Sequence, residues 1–220
     1  MFLLLAIISF GGAAVVRWWM MRTYTKWQSV PNAVGANGER VARHILDTNG
    51  LHQVRLEVSP GQLSDHYIPS QKRIRLSESI NSEASVAAIA VAAHEVGHAL
   101  QDAEGYGPLK LKALLMPVAA VGNQLGLLLA VGGGVMGATL IANIGMAMVV
   151  AGILMQLLTL PIEFDASKRA LQQLTQLNLV DQQDYDGAKQ MLRAAALTYV
   201  AGAASSLAFV GLLAIRFLRR

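Results

Sequence analysis

The chain contains no cysteine in 220 residues. Disulfides are excluded, and any metal it holds must be ligated by nitrogen or oxygen from His, Asp or Glu. With five histidines in the whole sequence, that search covers few positions. Charge is also scarce, at 15% of residues, and residues 113–162 carry none. An uncharged stretch of that length is too long for a water-facing loop and suits two membrane-crossing helices joined by a tight turn. No Lys or Arg precedes the first apolar run, residues 2–21, which speaks against a cleaved secretory leader and for a retained anchor. A basic stripe is missing too. The net charge of +4 and pI near 9.6 come from Lys and Arg that flank apolar segments, so headgroup anchoring is expected and nucleic acid is not.

What the chain has is apolar surface. Hydrophobic residues make up 54% and the mean hydropathy is +0.42, more than an ordinary soluble domain of this length carries. The expected fold is a mainly α integral membrane protein with about four transmembrane helices and a small α+β catalytic subdomain with a short sheet of about three strands.

The expected organisation starts with an anchor at 1–26, where Arg17, Trp18 and Trp19 form an interface belt. Residues 30–110 form a polar subdomain. It opens with a helix at about 36–48, in which Val41, Ile45 and Leu46 share a face and Asn49-Gly50 supplies a stop. Alternating segments at 53–58 and 72–76, with 62–68 between them ending at a Pro69-Ser70 turn, predict about three strands. Asn81 or Ser82 then caps a helix with Glu83 in its first turn, running to about 101 and ended by Gly105 and Pro108. A transmembrane hairpin follows at 113–162 with its turn between 132 and 143, its Gly and Ala residues letting the helices approach closely. Amphipathic helices fill 163–193, with Asp181 as a cap, and a last span with a basic tail, Arg216, Arg219 and Arg220, fills 194–220. The two polar segments lie on one side and carry most of the basic residues, which predicts a cytoplasmic catalytic face of a multi-pass cell-membrane protein.

The chemistry is concentrated in His94-Glu95-Val96-Gly97-His98, within the predicted helix at 82–101. On a helix, residues four apart lie one turn apart on one face. His94 and His98 can therefore converge on one zinc ion while Glu95 addresses a water there. Such polar groups would be costly to bury unpaired among Ala, Val and Ile. Zinc lowers the pKa of water toward about 7 and polarises a carbonyl, so Glu95 is the candidate general base of amide hydrolysis. A catalytic zinc normally has a third protein ligand. Glu163, which follows Leu160-Pro161-Ile162 at the end of the predicted hairpin, is a candidate, with a solvated first-turn glutamate as the alternative.

These residues resemble a known family. The segment from Ala92 to Asp102, then Glu104-Gly105-Tyr106, Leu160 to Ser167, Ala194 to Ala201, and upstream Ser64-Asp65-His66-Tyr67 with Leu76-Ser77 look like the YugP-type neutral zinc metallopeptidases of bacterial membranes. The resemblance covers most of the chain. It implies one Zn2+ per chain held by His94, His98 and Glu163, with Glu95 catalytic, in a gluzincin-like site acting on polypeptides. The Glu163-Phe164-x-Ala166 element is also similar to the third-ligand motif of the heat-shock and prenyl-protein membrane metalloproteases. There an Asp four residues after the ligand supports the first histidine. Ser167 stands at that position here, leaving Asp165, Asp102 or a backbone carbonyl as the expected support.

Transition-state stabilisers in gluzincin-like sites are His, Tyr or Arg, and Tyr199 and His66 are the candidates. His66 and Tyr67 fall in the second predicted strand, whose edge could pair with an extended substrate. His44 and His52 read as structural or solvated. The sequence thus predicts a membrane-anchored zinc endopeptidase with the bilayer and a polypeptide as partners. The alternatives are an intramembrane metalloprotease and a non-catalytic zinc-binding scaffold, which would have no use for Glu95.

Overall fold

A computed structural model describes the backbone of residues 2–218 and their side chains except at 2–10, 117–124, 209, 210 and 212–218. The elements in order are α1 (Phe2–Gln28), α2 (Gly38–Thr48), β1 (Arg55–Ser59), β2 (His66–Ile68), a single 3-10 turn (Pro69–Gln71), β3 (Arg73–Ser77), α3 (Glu78–Ser82), α4 (Val86–Ala103), α5 (Gly107–Val135), α6 (Thr139–Gln176) and α7 (Gln182–Leu218). The chain is mostly helical with one small sheet. It divides into two compact units, one of residues 1–16, 107–161 and 198–220, the other of residues 17–106 and 162–197.

In the second unit, the sheet has the order β1-β3-β2, with β1 parallel and β2 antiparallel to β3. The central strand alternates. Ile74 and Leu76 are fully buried, while Arg73 and Arg75 bind Glu57 of β1 at 2.8 and 3.4 Å on the other face. The second predicted strand is therefore an edge of the sheet. α2 begins where Asn37 accepts a hydrogen bond from the Arg40 backbone N–H and ends at Asn49, followed by Gly50 at φ +71°, as expected from Asn-Gly.

The core of this unit is built around α4. Val41, Ile45, Leu46, Ile74, Leu76, Ile80, Ile89 and Leu174 are buried about it with the alanines of α4 itself. From Val86 to Gln101 every residue of α4 is buried except Val91, His94 and His98, which lie on one stripe at i, i+3 and i+7. Its N-terminus departs from expectation. Ser85, not Asn81 or Ser82, caps it, accepting from the Ala88 N–H at 3.1 Å. Asn81 and Ser82 instead close the one-turn α3, and Glu83 is extended. Pro108 does not end α4 either. Gly105 at φ +70° does, and Pro108 sits in the first turn of α5, where its missing N–H is harmless.

α6 and α7 are longer than the sequence pattern implied. α6 runs through Pro161, so the hairpin's return helix and the amphipathic helix are one element, and α7 joins the second amphipathic helix to the last apolar stretch. Proline removes one helical hydrogen bond, but Ile162, Ala166, Ala170 and Leu174, four apart and fully buried, pack the continued helix into the core. Asp181 caps α7 as expected, accepting from the Asp184 N–H at 2.8 Å.

In the first unit, α5 and α6 form the predicted hairpin, turning at Gly137 with φ +70°. The helices touch at glycines: a Cβ on Gly145 would lie 2.1 Å from the Ala130 nitrogen. Leu114, Leu128, Leu140 and Leu154 are exposed. Among the described residues two helices are long and apolar enough to cross a membrane, Thr139–Gln176 and Gln182–Ala208. The other two expected spans involve 2–10 and 117–124, and the tail Arg219-Arg220 also lies outside the described residues.

Candidate metal centre

The partly buried stripe of α4 meets α6 at one point. His94 Nε2 lies 3.2 Å and His98 Nε2 3.6 Å from Glu163 Oε2. The two imidazoles are edge to face with centroids 4.8 Å apart. One ligand atom from each residue falls within 4.8 Å of the others. Atoms bound tetrahedrally to one zinc at about 2.0–2.1 Å sit roughly 3.3 Å apart, so this donor set fits a zinc ion. Two imidazoles and a carboxylate are also the chemistry of a catalytic site, which leaves a fourth position for water.

The electrostatics favour a cation. At His98, burial opposes the charged imidazolium, yet Glu163 and Glu95 outweigh it and raise the pKa above 6.5. At Glu95, 6% exposed, burial raises the carboxyl pKa; the two histidines oppose this, while Asp65 and Glu163 add to it. Asp65 is held in turn by the Ser77 backbone N–H at 2.7 Å and the Ser77 hydroxyl at 3.1 Å.

Both histidines are oriented through their other ring nitrogen. His98 Nδ1–H donates to Gln101 Oε1 at 3.0 Å. Gln101, fully buried, donates through Nε2 to the Ile162 carbonyl at 2.7 Å and to Asp165 Oδ2 at 2.9 Å. Asp165 also accepts from Arg169 Nε at 2.6 Å, and Arg169 reaches Glu104 at 2.7 Å. His94 Nδ1 lies 3.2 Å from Ser167 Oγ. The supporting position is thus filled by Ser167 itself. Asp102 does not serve, because it accepts from Tyr67 Oη at 2.6 Å and Lys72 Nζ at 2.5 Å. Asp165 acts on Gln101 rather than on His94.

Two contributors were missed by sequence reasoning. Gln101 is one turn beyond the pentapeptide and looked like a helix-end polar residue. Gly97 lets α6 come close: a Cβ there would lie 2.5 Å from the Ala166 carbonyl oxygen. A glycine inside a helix costs about 1 kcal/mol against alanine, and that was the available signal.

The remaining candidates are elsewhere. His66 lies on β2 with Nδ1 2.7 Å from the Ser64 carbonyl, outside the convergent group. Tyr199 is on α7, 43% exposed, in the other compact unit. His44 is exposed, and His52 pairs with Asp47 at 2.9 Å on the surface.

The model of a family described as "Putative neutral zinc metallopeptidase" matches residues 2–217. The chain belongs to this neutral zinc metallopeptidase family. It is 39% identical over 207 residues to "Putative membrane protease YugP" of Bacillus subtilis (strain 168), covering 94% of this chain and 92% of that protein. No solved structure matches the chain. For this member of the neutral zinc metallopeptidase family, the donor set described above agrees with the metal that the family description names.

Proposed function

We propose that the protein is a membrane-anchored zinc metalloendopeptidase in which His94, His98 and Glu163 hold the metal and Glu95 is the general base. The observation that carries this reading is the convergence of three ligand atoms within 4.8 Å beside a buried glutamate on the same helix. Zinc bound there supplies Lewis acidity, making water more acidic and polarising the scissile carbonyl. Glu95 takes the proton of the attacking water and delivers it to the leaving amine. Burial raises the Glu95 pKa, which makes its carboxylate a stronger base toward the attacking water. His94 and His98 present Nε2 because Ser167 and Gln101 engage Nδ1.

The substrate is an extended polypeptide lying along the free edge of β2, an antiparallel edge strand packed against α4. The chain crosses the membrane four times, at 1–26, twice in 113–162 and at 194–220, with the residues between forming a cytoplasmic catalytic part. The exposed Leu114, Leu128, Leu140 and Leu154 support lipid contact in the hairpin.

Detergent-purified protein should cleave casein, stop on addition of a chelator, and recover with zinc. Glu95→Gln should bind zinc without cleaving. Undiminished cleavage by Glu95→Gln would remove the assigned base.

A further inference from the structure

A trough of about 550 Å³ runs along α6 and α7 within residues 164–196. Its tie to the metal centre is Ser167, which lines it and is the hydrogen-bond partner of His94. Its apolar lining includes Phe164, Leu171 and Leu192. Lys168 on α6 and Lys189 and Arg193 on α7, four residues apart, line the walls, and no Asp or Glu does. All three cations are exposed, and among the described residues none forms a salt bridge. Arg169, which does, is committed to Asp165 and Glu104.

Lys168 acts on Asp165 only through space and Lys189 lies 5.9 Å from the centre of the Tyr185 ring, so three cations without a salt bridge beside apolar side chains are complementary to a segment with apolar side chains flanked by carboxylates. An anionic lipid would match the same cations and apolar side chains, and the tie to the metal centre through Ser167 is what favours a polypeptide. The link through Ser167 connects the trough to the residues that would cut the chain it holds.

We propose that this trough is a second substrate-recognition element beyond the β2 edge, selecting polypeptide segments in which apolar residues are flanked by Asp or Glu. The inference rests on the peptidase reading above and names its substrate class. Apolar side chains enter between Phe164, Leu171 and Leu192, and the carboxylates pair with Lys168, Lys189 and Arg193.

The test uses full-length, zinc-loaded Glu95→Gln protein in detergent and fluorescence anisotropy. The probes are a short fluorescein-labelled peptide of leucine and glutamate and its counterpart with glutamine for glutamate. The glutamate peptide should bind more tightly. Lys189→Glu with Arg193→Glu should weaken it about tenfold, since two attractive pairs become repulsive. Lys189→Gln with Arg193→Gln should weaken it less, with zinc content and thermal unfolding unchanged in both. Equal binding of the two peptides, or no loss in either variant, would overturn the proposal. Displacement by phosphatidylglycerol micelles, without any preference for glutamate over glutamine, would mark a headgroup site and also overturn it. Casein cleavage with charge-independent peptide binding sinks the trough alone. Charge-dependent binding by a wild type that cleaves nothing sinks the peptidase reading and leaves the trough.

Discussion

Gln101 has neither charge nor nucleophile, yet its amide joins the second histidine to the turn that carries Glu163. It accepts from His98 Nδ1–H and donates to the Ile162 carbonyl and Asp165. Replacing it with leucine frees the His98 ring and takes one donor from the Ile162 carbonyl and Asp165. Gln101→Leu should weaken zinc binding about 10–100-fold in a competition titration against a chelating dye, the range typical when a ligand loses its orienting partner. The pH dependence of binding is set at the same residue. Metal binding requires neutral His98, whose pKa lies above 6.5 because the carboxylates outweigh its burial. Protons therefore compete as pH falls through that raised value, and below it the apparent zinc Kd should rise about tenfold per pH unit per displaced proton. Kd measured across pH 5 to about 8 checks the sign: affinity is lost on acidification, and earlier than for a free histidine.

At the scale of elements, the site is the contact between α4 and α6. Gly97 sets how close they come, because the Ala166 carbonyl occupies the space of a Cβ and backbone cannot easily move aside. Gly97→Ala should cost about 1–3 kcal/mol in thermal unfolding and lower zinc occupancy. A variant as stable and zinc-loaded as the wild type would show that the contact can give. β2 is fastened to α4 by Tyr67 Oη donating to Asp102, which Lys72 also holds. Burial raises the Tyr67 pKa, and the neighbouring Asp102 adds to it, so the phenol remains a donor at neutral pH. Tyr67→Phe should cost about 1–2 kcal/mol of stability. If the β2 edge positions substrate, KM should rise while kcat changes little.

At the scale of the molecule, what could be read from the chain depended on the range of the interaction. His94, Glu95 and His98 were legible because helical spacing alone brings them together. Glu163 needed a family resemblance, since nothing local says which distant acid faces the helix. Ser167 looked like a defect by comparison with an aspartate, whereas its hydroxyl lies within reach of His94 Nδ1. Gln101 and Gly97 were illegible because both roles exist only once α6 lies against α4. The three strands and the Asn-Gly stop were readable from period and turn chemistry. The α4 cap was misplaced because Asn81, Ser82 and Ser85 are all capable caps, and packing of α3 selects among them. Pro161 read as an end of helix, and the buried row Ile162, Ala166, Ala170 and Leu174 carries the helix past it.

The central claim is that His94, His98 and Glu163 hold a zinc that Glu95 uses. Zinc stoichiometry, measured by mass spectrometry beside proteolysis on the same preparations, tests it most directly. The wild type should carry one zinc per chain and cleave, Glu95→Gln one zinc without cleavage, and Glu163→Ala neither. Full zinc occupancy in Glu163→Ala, or cleavage by Glu95→Gln at the wild-type rate, would contradict the account.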